Sequence, residues 1–369
     1  MTKRVKMRKS IEKVVVIGFP YTMKIDTGRG IDRYLSTLYK SFIEHGESLR
    51  IIEEGLVKPH PVQLLRKFLK IFIALRRLDG ELFHAVDPLG SVIAAMALKK
   101  NIVTTIHDTI PLDGKVKMFN SIVFLITKLS MKASLIISKE IIVPFDTTRD
   151  TLIKNFHVPG SKITIIHYAL DLNLDPSASL DKSQNNSNKD VKILFMGGGS
   201  PSDRGLDIVL KAYTKFVENV PSATLTIVGR MAAISSENRK LLDAAKFSNI
   251  EILEFVPEFQ LLQFMRKFSV FLYPSRLGFS YLVMQAMASG LPVITSNFRD
   301  MKDFLGQAGI MCCNEIVCCY VQALNKLSNM DLRTDIVKKQ YERLQVFTLD
   351  NFYDGMNNFY KRALGLYPN

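Results

Sequence analysis

The sequence predicts an α/β protein with two doubly wound parallel sheets, one in each half of the chain. Two segments begin alike, because the apolar runs KVVVIGFP (13–20) and VKILFMGGG (191–199) are partly β-branched and both contain glycine near their ends. An amphipathic helical pattern follows each run, IDRYLSTLYKSFIEHG in the first case and GLDIVLKAYTKFVENV in the second. A buried parallel strand that enters a helix through a glycine turn is typical of nucleotide-binding α/β domains.

Further strands are predicted where short apolar runs alternate with helical patterns. These runs are LRIIEEG, LFHAVD, NIVTTIHD and EIIVPF in the first half, and ATLTIVG, NIEILEFV, VFLYPS and PVITSN in the second. The alternation predicts two Rossmann-like domains, residues 1–172 and 191–345. Residues 173–190 are rich in Ser, Asn and Asp and lack a hydrophobic period, so we expect a linker. Residues 346–369 are expected to contain an amphipathic helix beyond the second domain's strands.

The charge of the chain is strongly basic and unevenly distributed. The 369 residues carry a net charge of +14, of which +11 falls in residues 1–172 and +3 in residues 173–369. A hydrophobic content of 47% with 23% charged residues is typical of a folded domain. The basic first half therefore indicates an anionic partner, which could be phospholipid, nucleic acid or a phosphorylated substrate.

All four cysteines lie within the segment CCNEIVCC (312–319). Its C-C-x4-C-C spacing is not a standard zinc spacing, so we favour buried thiols over a metal site. Cysteines confined to one segment do not form a disulfide framework, and this favours a reducing compartment and a cytoplasmic location. The most apolar run, SIVFLITKL (121–129), is interrupted by Lys128 and is too short to cross a membrane.

A basic amphipathic helix is predicted within residues 60–80. Its expected apolar face carries Leu64, Leu65, Phe68, Ile71, Phe72, Leu75 and Leu78. Arg66, Lys70 and Arg77 fall on the opposite face. Such a helix suits an anionic membrane surface, and residues 115–132 add a second basic and apolar stretch. The alternative is a helix packed on the core with a solvated outer face.

Six motifs in order resemble the GT-B retaining glycosyltransferases of family 4 over nearly the whole chain. The motifs are GRGIDRYLSTL, VTTIHDTIPL, EIIVPFDTTRDTLIKNFHVPGSKITIIHYALD, SDRGLDIVLKAY, LTIVGR and FVPEFQLLQFMRKFSVFLYPS. The resemblance implies a GT-B fold, in which two Rossmann-like domains face a cleft and a C-terminal helix crosses back to the first domain. It also implies transfer from a nucleoside-diphosphate sugar to a lipid-linked or glycan acceptor, with neither a metal nor a further cofactor.

The resemblance assigns two sites to the first domain. Gly28, Arg29 and Gly30 match the glycine-rich loop that faces the donor phosphate and the acceptor; the alternative is an ordinary tight turn. His107 matches the histidine that lies against the donor sugar, and a capped structural histidine is the alternative. His84 also ends a strand, and we interpret it as mostly structural.

In the second domain the resemblance places the donor. Arg204, at a helix start, would stabilise the charge that grows on the departing diphosphate. The family usually supplies a second cation in this loop, but MGGGSPSD (196–203) has none, and Arg230 is a candidate substitute. Further donor contacts are expected at Gly198, Gly199 and Val256.

The stretch YPSRLGFSYLVMQAMASGLPVITSN (273–297) resembles the family's E-G-F-G loop and following helix, but both carboxylates are replaced. Leu277 stands in the first position and Gln285 in the second, where the family's carboxylate holds the ribose hydroxyls. Gly278, Phe279 and Ser280 keep the loop backbone that would bind sugar hydroxyls. Gln285 can still accept a hydrogen bond, without charge. The alternative is an ordinary strand and core helix.

Three functional hypotheses follow. The first is an active, membrane-associated glycosyltransferase at the inner face of the membrane. The second is a catalytically weakened or inactive relative that binds sugar nucleotides or acts as a scaffold beside a partner glycosyltransferase. The third, nucleic-acid binding, rests on charge alone, and the sequence lacks a recognition motif for it, so no nucleic-acid partner is expected.

Overall fold

The chain forms two compact units, one of residues 1–171 and 347–369 and the other of residues 172–346. The computed structural model describes residues 13–18, 30–53, 61–113, 121–171, 191–198, 204–230, 234–244, 249–313 and 315–366. The predicted linker, residues 173–190, lies outside this described part.

The first unit contains a parallel sheet of six described strands in the order β2-β1-β3-β4-β5-β6. The strands are β1 Val14–Gly18, β2 Arg50–Glu53, β3 Leu82–Ala85, β4 Ile102–Thr105, β5 Glu140–Val143 and β6 Ile163–Ile165. Residues of β1, β3 and β4 are buried throughout, because helices cover both faces of a doubly wound sheet. The helices between these strands are Gly30–Glu44, Pro61–Arg77, Pro88–Met96, Ile110–Asp113, Ser121–Ile137 and Asp146–Phe156.

The second unit repeats this architecture in the order β12-β11-β10-β7-β8-β9. Its strands are β7 Lys192–Gly198, β8 Thr224–Gly229, β9 Ile250–Leu253, β10 Val270–Tyr273, β11 Val293–Ser296 and β12 Ile310–Cys312. All of the described pairings are parallel. The helices are Leu206–Val217, Ser236–Ala244, Glu258–Met265, Tyr281–Ala288, Met301–Leu305, Val317–Lys326 and Met330–Leu344.

The C-terminal helix Leu349–Ala363 belongs to the first unit, as the fold class predicts. Thr348 caps it by accepting a hydrogen bond from the backbone N–H of Asn351 at 3.2 Å. Tyr353 stacks on the ring of His45, with centroids 3.7 Å apart, and meets Phe42 edge to face. The helix is thus attached by aromatic packing to helix Gly30–Glu44.

Helix Pro61–Arg77 packs on the core through Ile71 and Leu75, which are fully buried. Leu65, which the sequence assigns to the same apolar face, is 59% exposed and does not join Ile71 and Leu75 in the core. Leu65, Leu69 and Ile73 follow at intervals of four residues, so they form an exposed apolar stripe. Periodicity identified an apolar side of the helix but not which of two adjoining rows of side chains meets the sheet. Among the described residues, no helix is both long and apolar enough to cross a membrane.

Candidate active site

The predicted donor residues of the second unit collect at one edge of its sheet. Strand β7 ends at Gly198, β8 ends just before Arg230, and β10 leads into the loop of residues 274–280. Because β7 pairs in parallel with both β8 and β10, their carboxyl ends meet at the same edge. Ligands of doubly wound sheets bind beyond this edge.

Arg204 and Gly205 pack against the loop that follows β10. Nη1 of Arg204 lies 3.5 Å from the Ser275 Oγ, and its guanidinium lies 5.8 Å from the ring centroid of Tyr273. Gly205 has φ +83° and begins helix Leu206–Val217. A Cβ on Gly205 would come within 2.2 Å of the Pro274 carbonyl oxygen, so only glycine permits this contact. The half-buried Arg204 is thereby held beside the loop.

The loop backbone is shaped by Gly278 and closed by Ser280. Gly278 has φ +76°, a left-handed conformation that favours glycine. Ser280 caps helix Tyr281–Ala288, since its Oγ accepts a hydrogen bond from the N–H of Leu282 at 3.3 Å. Phe279 packs edge to face on Tyr281 and Phe304. These contacts order the loop around the first turn of the helix.

Leu277 and Gln285 have different surroundings. Leu277 is half-buried, and its N–H donates to the Ser275 Oγ at 3.1 Å. Gln285 is buried, and its Nε2 donates to Oε1 of Glu258 at 2.7 Å. Sequence reasoning missed Glu258, because it lies 27 residues away on the preceding helix. The loop helix is nearly all buried, so it is a core element as well as part of the site edge.

Arg276 fixes the same loop through two carboxylates. Its Nη1 and Nη2 donate to Asp207 at 2.8 Å each, and its Nε and Nη2 donate to Glu315 at 2.6 and 2.9 Å. Hydrogen bonds from Arg276 lower the pKa of Glu315. Burial alone would raise the pKa of Asp207, but the bonds and charge of Arg276 outweigh it and lower this pKa. Because the three residues lie beyond different strands, sequence spacing gave no signal for this cluster.

The remaining candidate donor residues of this unit also lie at or after strand ends. Arg230 is exposed directly after β8, and Val256 is half-buried after β9. Gly198 is the last residue of β7, whereas Gly199 lies outside the described residues.

In the first unit, His107 follows β4 and has both ring nitrogens engaged. The carbonyl oxygen of Val86 lies 2.9 Å from Nε2, so this nitrogen carries the proton. Nδ1 then accepts a hydrogen bond from the Tyr168 hydroxyl at 3.0 Å. The ring also packs edge to face on Tyr34, with centroids 4.9 Å apart. Burial lowers the pKa of His107 to about 4, so the ring is neutral near pH 7.

The glycine-rich loop of the first unit is described only at its end. Gly28 and Arg29 lie outside the described residues. Gly30 is the exposed first residue of helix Gly30–Glu44, and a Cβ there would meet no atom of the described residues within 4 Å.

Two other features lie away from these residues. A cavity of about 690 Å³ adjoins Glu81, Asn101 and Lys139, at the amino ends of β3, β4 and β5. It is therefore at the opposite edge of the first sheet from His107. Among the described His, Cys, Asp and Glu residues, no group of three could hold a metal ion. Cys312 is a buried free thiol, while Cys313 and Cys318 are exposed.

Comparison with known families accounts for both units. Residues 33–174 match the model described as Glycosyltransferase Family 4, and residues 190–330 match the model Glycosyl transferases group 1. Together the two models cover about three quarters of the chain, one on each sheet. The chain belongs to the family 4, group 1 glycosyltransferases. The family resemblance predicted from the sequence is thereby confirmed.

A curated relative of this glycosyltransferase is D-inositol 3-phosphate glycosyltransferase of Acidothermus cellulolyticus. It is 25% identical over 184 residues, which span 47% of this chain and 41% of the relative. The alignment thus spans less than half of that relative's length.

Solved structures confirm that the glycosyltransferase has the two-domain α/β GT-B fold. Sucrose-phosphate synthase from Thermosynechococcus elongatus is 16% identical, with a TM-score of 0.78 over 96% of this chain and 100% of that one. Anabaena HepE in complex with UDP and glucose is 14% identical, with a TM-score of 0.71 over 94% of this chain and 99% of that one.

Proposed function

We propose that the protein is a retaining glycosyltransferase that moves a sugar from a nucleoside-diphosphate sugar to a lipid-linked or glycan acceptor. The observation that carries the proposal is the packing of Arg204 and Gly205 against loop 274–280 at the carboxyl edge of the second sheet. A cation beside a helix N-terminus and an ordered glycine loop suits a diphosphate with an attached sugar. HepE, which shares the fold, has been solved with UDP and glucose.

The donor would be bound mainly by the second unit. Arg204 would face the diphosphate, and Arg230, exposed at the neighbouring strand end, would supply the second positive charge. Backbone groups of Gly278, Phe279 and Ser280 would hold sugar hydroxyls. Further donor contacts would come from Gly198, Gly199 and Val256. Gln285 would lie at the border of the site, on helix Tyr281–Ala288. Gly28, Arg29 and Gly30 of the first unit would approach the phosphate and the acceptor.

The chemistry proposed for these residues is electrostatic. As the bond between sugar and diphosphate breaks, negative charge accumulates on the leaving group, and Arg204 with the loop N–H groups stabilises it. No metal or further cofactor is part of this proposal. His107 would meet the sugar as a neutral ring, because its low pKa leaves it unprotonated near pH 7. Its Nε2 and Nδ1 are bonded to Val86 and Tyr168, so the protein fixes the ring's orientation.

A second candidate function is that of a sugar-nucleotide-binding or scaffolding subunit that works beside an active partner glycosyltransferase. The observation that favours it is the neutral pair of replacements, because Leu277 offers no polar group and Gln285 no charge. Donor binding without turnover, even with partner and acceptor supplied, would support this function.

We also propose that the first unit rests on an anionic membrane surface, at the inner face of the membrane in the cytoplasm. The exposed stripe Leu65, Leu69 and Ile73 lies on helix Pro61–Arg77. Arg66, Arg76 and Arg77 of the same helix are also exposed. Apolar side chains beside cations fit lipid headgroups and the acyl region beneath them.

A second helix adds to this surface. Leu125, Leu129 and Ile136 are exposed on helix Ser121–Ile137, together with Lys132. Both helices pack against helix Pro88–Met96. One lies in the connection from β2 to β3 and the other in the connection from β4 to β5, and both connections run toward the β6 edge of the sheet. Right-handed crossovers then put both on one face. The sequence predicts this surface within residues 60–80 and 115–132, of which residues 60 and 115–120 lie outside the described part.

Turnover of a panel of nucleoside-diphosphate sugars tests the proposed activity. Release of the nucleoside diphosphate from one of them, accelerated by a lipid or glycan acceptor, is the expected result. Product with the donor's anomeric configuration would support the retaining mechanism, and inverted product would reject it. A protein that neither binds nor turns over any of them would reject the proposed activity.

A further inference from the structure

Glu258 and Gln285 form a polar pair between two helices of the second unit. Glu258 is the first residue of helix Glu258–Met265, and Gln285 lies on helix Tyr281–Ala288. The Gln285 Nε2 donates to Oε1 of Glu258 at 2.7 Å. Gln285 is only 3% exposed, whereas Glu258 is exposed. A ligand at this edge can therefore reach the carboxylate more readily than the amide.

The pair determines the orientation of the amide. An ionised carboxylate only accepts hydrogen bonds, so Gln285 must turn its Nε2 toward Glu258. Its Oε1 is then buried, and it has no hydrogen-bond partner among the described residues. A buried acceptor without a partner is destabilising, because it has lost its hydrogen bonds to water. The Gln285 side chain thus holds the Glu258 carboxylate through its Nε2, while its own Oε1 stays without a partner among the described residues.

We propose that Glu258 is the carboxylate that this site offers to hydroxyl groups of the donor, and that Gln285 positions it. The inference rests on the proposed function, since it concerns the same donor. A carboxylate accepts charge-assisted hydrogen bonds from hydroxyl groups, which are stronger than those accepted by a neutral amide. The hydroxyls belong either to the ribose of the nucleotide or to the transferred sugar.

This pairing makes Gln285→Glu a harmful substitution. It would place a second carboxylate within hydrogen-bond distance of Glu258 in a buried position. Two such charges cannot both persist there, so one must become protonated or the two must separate. Combining Glu258→Gln with Gln285→Glu restores one charge and one amide-to-carboxylate hydrogen bond, in reversed order. The double variant should therefore recover the folding stability that Gln285→Glu loses, but not the donor binding, because its carboxylate lies at the buried position 285.

Calorimetric titration of the full chain tests the pair. The probes are UDP, ADP and GDP, their 2′,3′-dideoxy forms, and the corresponding nucleoside-diphosphate glucoses. The proteins are the wild type, Glu258→Gln, Gln285→Glu and the double variant. Glu237→Gln is the matched control, because Glu237 is also an exposed carboxylate in the first turn of a helix in this unit. Unfolding midpoints of all variants separate lost binding from lost folding.

We expect Glu258→Gln to weaken binding of the preferred ribonucleotide about tenfold, equivalent to about 1.4 kcal/mol. Its effect on the dideoxy form should be small, so the preference for ribose is lost. Gln285→Glu should weaken binding at least as much, the double variant should bind donor no more tightly than Glu258→Gln does, and Glu237→Gln should change nothing. If only the sugar-bearing probe is affected, the hydroxyls are those of the transferred sugar.

Two results would overturn the inference while leaving the proposed function intact. One is a Glu258→Gln protein that binds every probe as the wild type does. The other is a Gln285→Glu protein that binds more tightly than the wild type. A wild-type protein that binds none of the probes would instead reject the proposed function, and the inference with it.

Discussion

Nδ1 of His84 lies 2.6 Å from the hydroxyl of Tyr360. This hydrogen bond joins β3 to the C-terminal helix inside the first unit. The Nε2 of His84 is bonded in turn to Thr105 Oγ1 at 2.8 Å, and that oxygen lies 3.3 Å from the Tyr34 hydroxyl. This chain of buried groups ends at Tyr34, and the ring of His107 packs edge to face on Tyr34. Attachment of the C-terminal helix and support of His107 therefore share one hydrogen-bond network.

Replacement of Tyr360 by phenylalanine should destabilise the first unit. The substitution keeps the ring but leaves the fully buried Nδ1 of His84 without its partner, at a cost of about 1–3 kcal/mol. The measurement is urea unfolding at pH 7 followed by far-ultraviolet circular dichroism. Tyr39→Phe is the control, because Tyr39 is exposed on helix Gly30–Glu44. Equal stability of Tyr360→Phe and wild type would mean that the network contributes nothing.

The first unit should lose stability as the pH falls below about 6.5, the pKa of an unburied histidine. Burial, with a further contribution from His107, lowers the pKa of His84 to about 3, compared with 6.5 in the unfolded chain. Between these values the unfolded state binds the proton and the folded state does not, so stability falls as the pH drops below 6.5. At pH 5 the loss from His84 alone is about 2 kcal/mol, and the lowered pKa of His107 acts in the same direction.

Unfolding free energies measured from pH 7 to pH 4 would show this slope. His84→Gln should flatten it, whereas His157→Asn should leave it unchanged, since His157 is exposed at the end of helix Asp146–Phe156. A wild-type profile that is flat down to pH 5 would contradict the burial of neutral His84.

Alanine at Gly205 should disrupt the candidate site, and a second glycine provides a matched control. Both Gly205 and Gly46 have positive φ, +83° and +71°, so alanine is strained at either position by about 1–2 kcal/mol. Only at Gly205 would the new Cβ collide with the Pro274 carbonyl, whereas at Gly46 it meets no atom within 4 Å. Gly205→Ala should therefore lose donor binding at least tenfold, while Gly46→Ala should bind donor normally. Equal donor affinity in both variants would show that loop 274–280 does not contribute to donor binding.

Membrane binding should depend on both the apolar stripe and its flanking cations. Ile73→Ser and Arg76→Gln should each reduce binding to vesicles containing phosphatidylserine; one cation near such a surface contributes about 1 kcal/mol, or roughly fivefold. Pure phosphatidylcholine vesicles should bind weakly. Ile43→Ser is the control, because Ile43 is 49% exposed, like Ile73 at 47%, but lies on helix Gly30–Glu44. Cosedimentation that is equal for Ile73→Ser, Arg76→Gln and wild type would exclude this surface.

The sheets and the glycine-bearing strand ends could be predicted because their signals are local. KVVVIGFP and VKILFMGGG are each read from a few adjacent residues, and each contains a strand of the structure, β1 and β7. The exposed position of Leu65 could not be predicted in this way. Its burial depends on how helix Pro61–Arg77 is rotated on the sheet, which packing of Ile71 and Leu75 decides.

The polar pairs of the candidate site were also beyond sequence reasoning. Arg276 meets Asp207, 69 residues earlier, and Glu315, 39 residues later, only because parallel strands bring their ends together. The partner of Gln285 likewise comes from another helix. From the sequence, Gln285 is a lost carboxylate, whereas the structure puts a carboxylate, that of Glu258, directly beside it.

We propose above that the second unit binds a nucleoside-diphosphate sugar with Arg204 at the diphosphate. The most direct measurement is kcat/KM for the preferred nucleoside-diphosphate sugar in wild type, Arg204→Ala and Arg239→Ala, an exposed arginine of the same unit. We expect turnover by the wild type, a loss of about 100-fold or more in Arg204→Ala, and no change in Arg239→Ala. Unaltered turnover in Arg204→Ala, or no turnover and no binding of any such donor by the wild type, would contradict it.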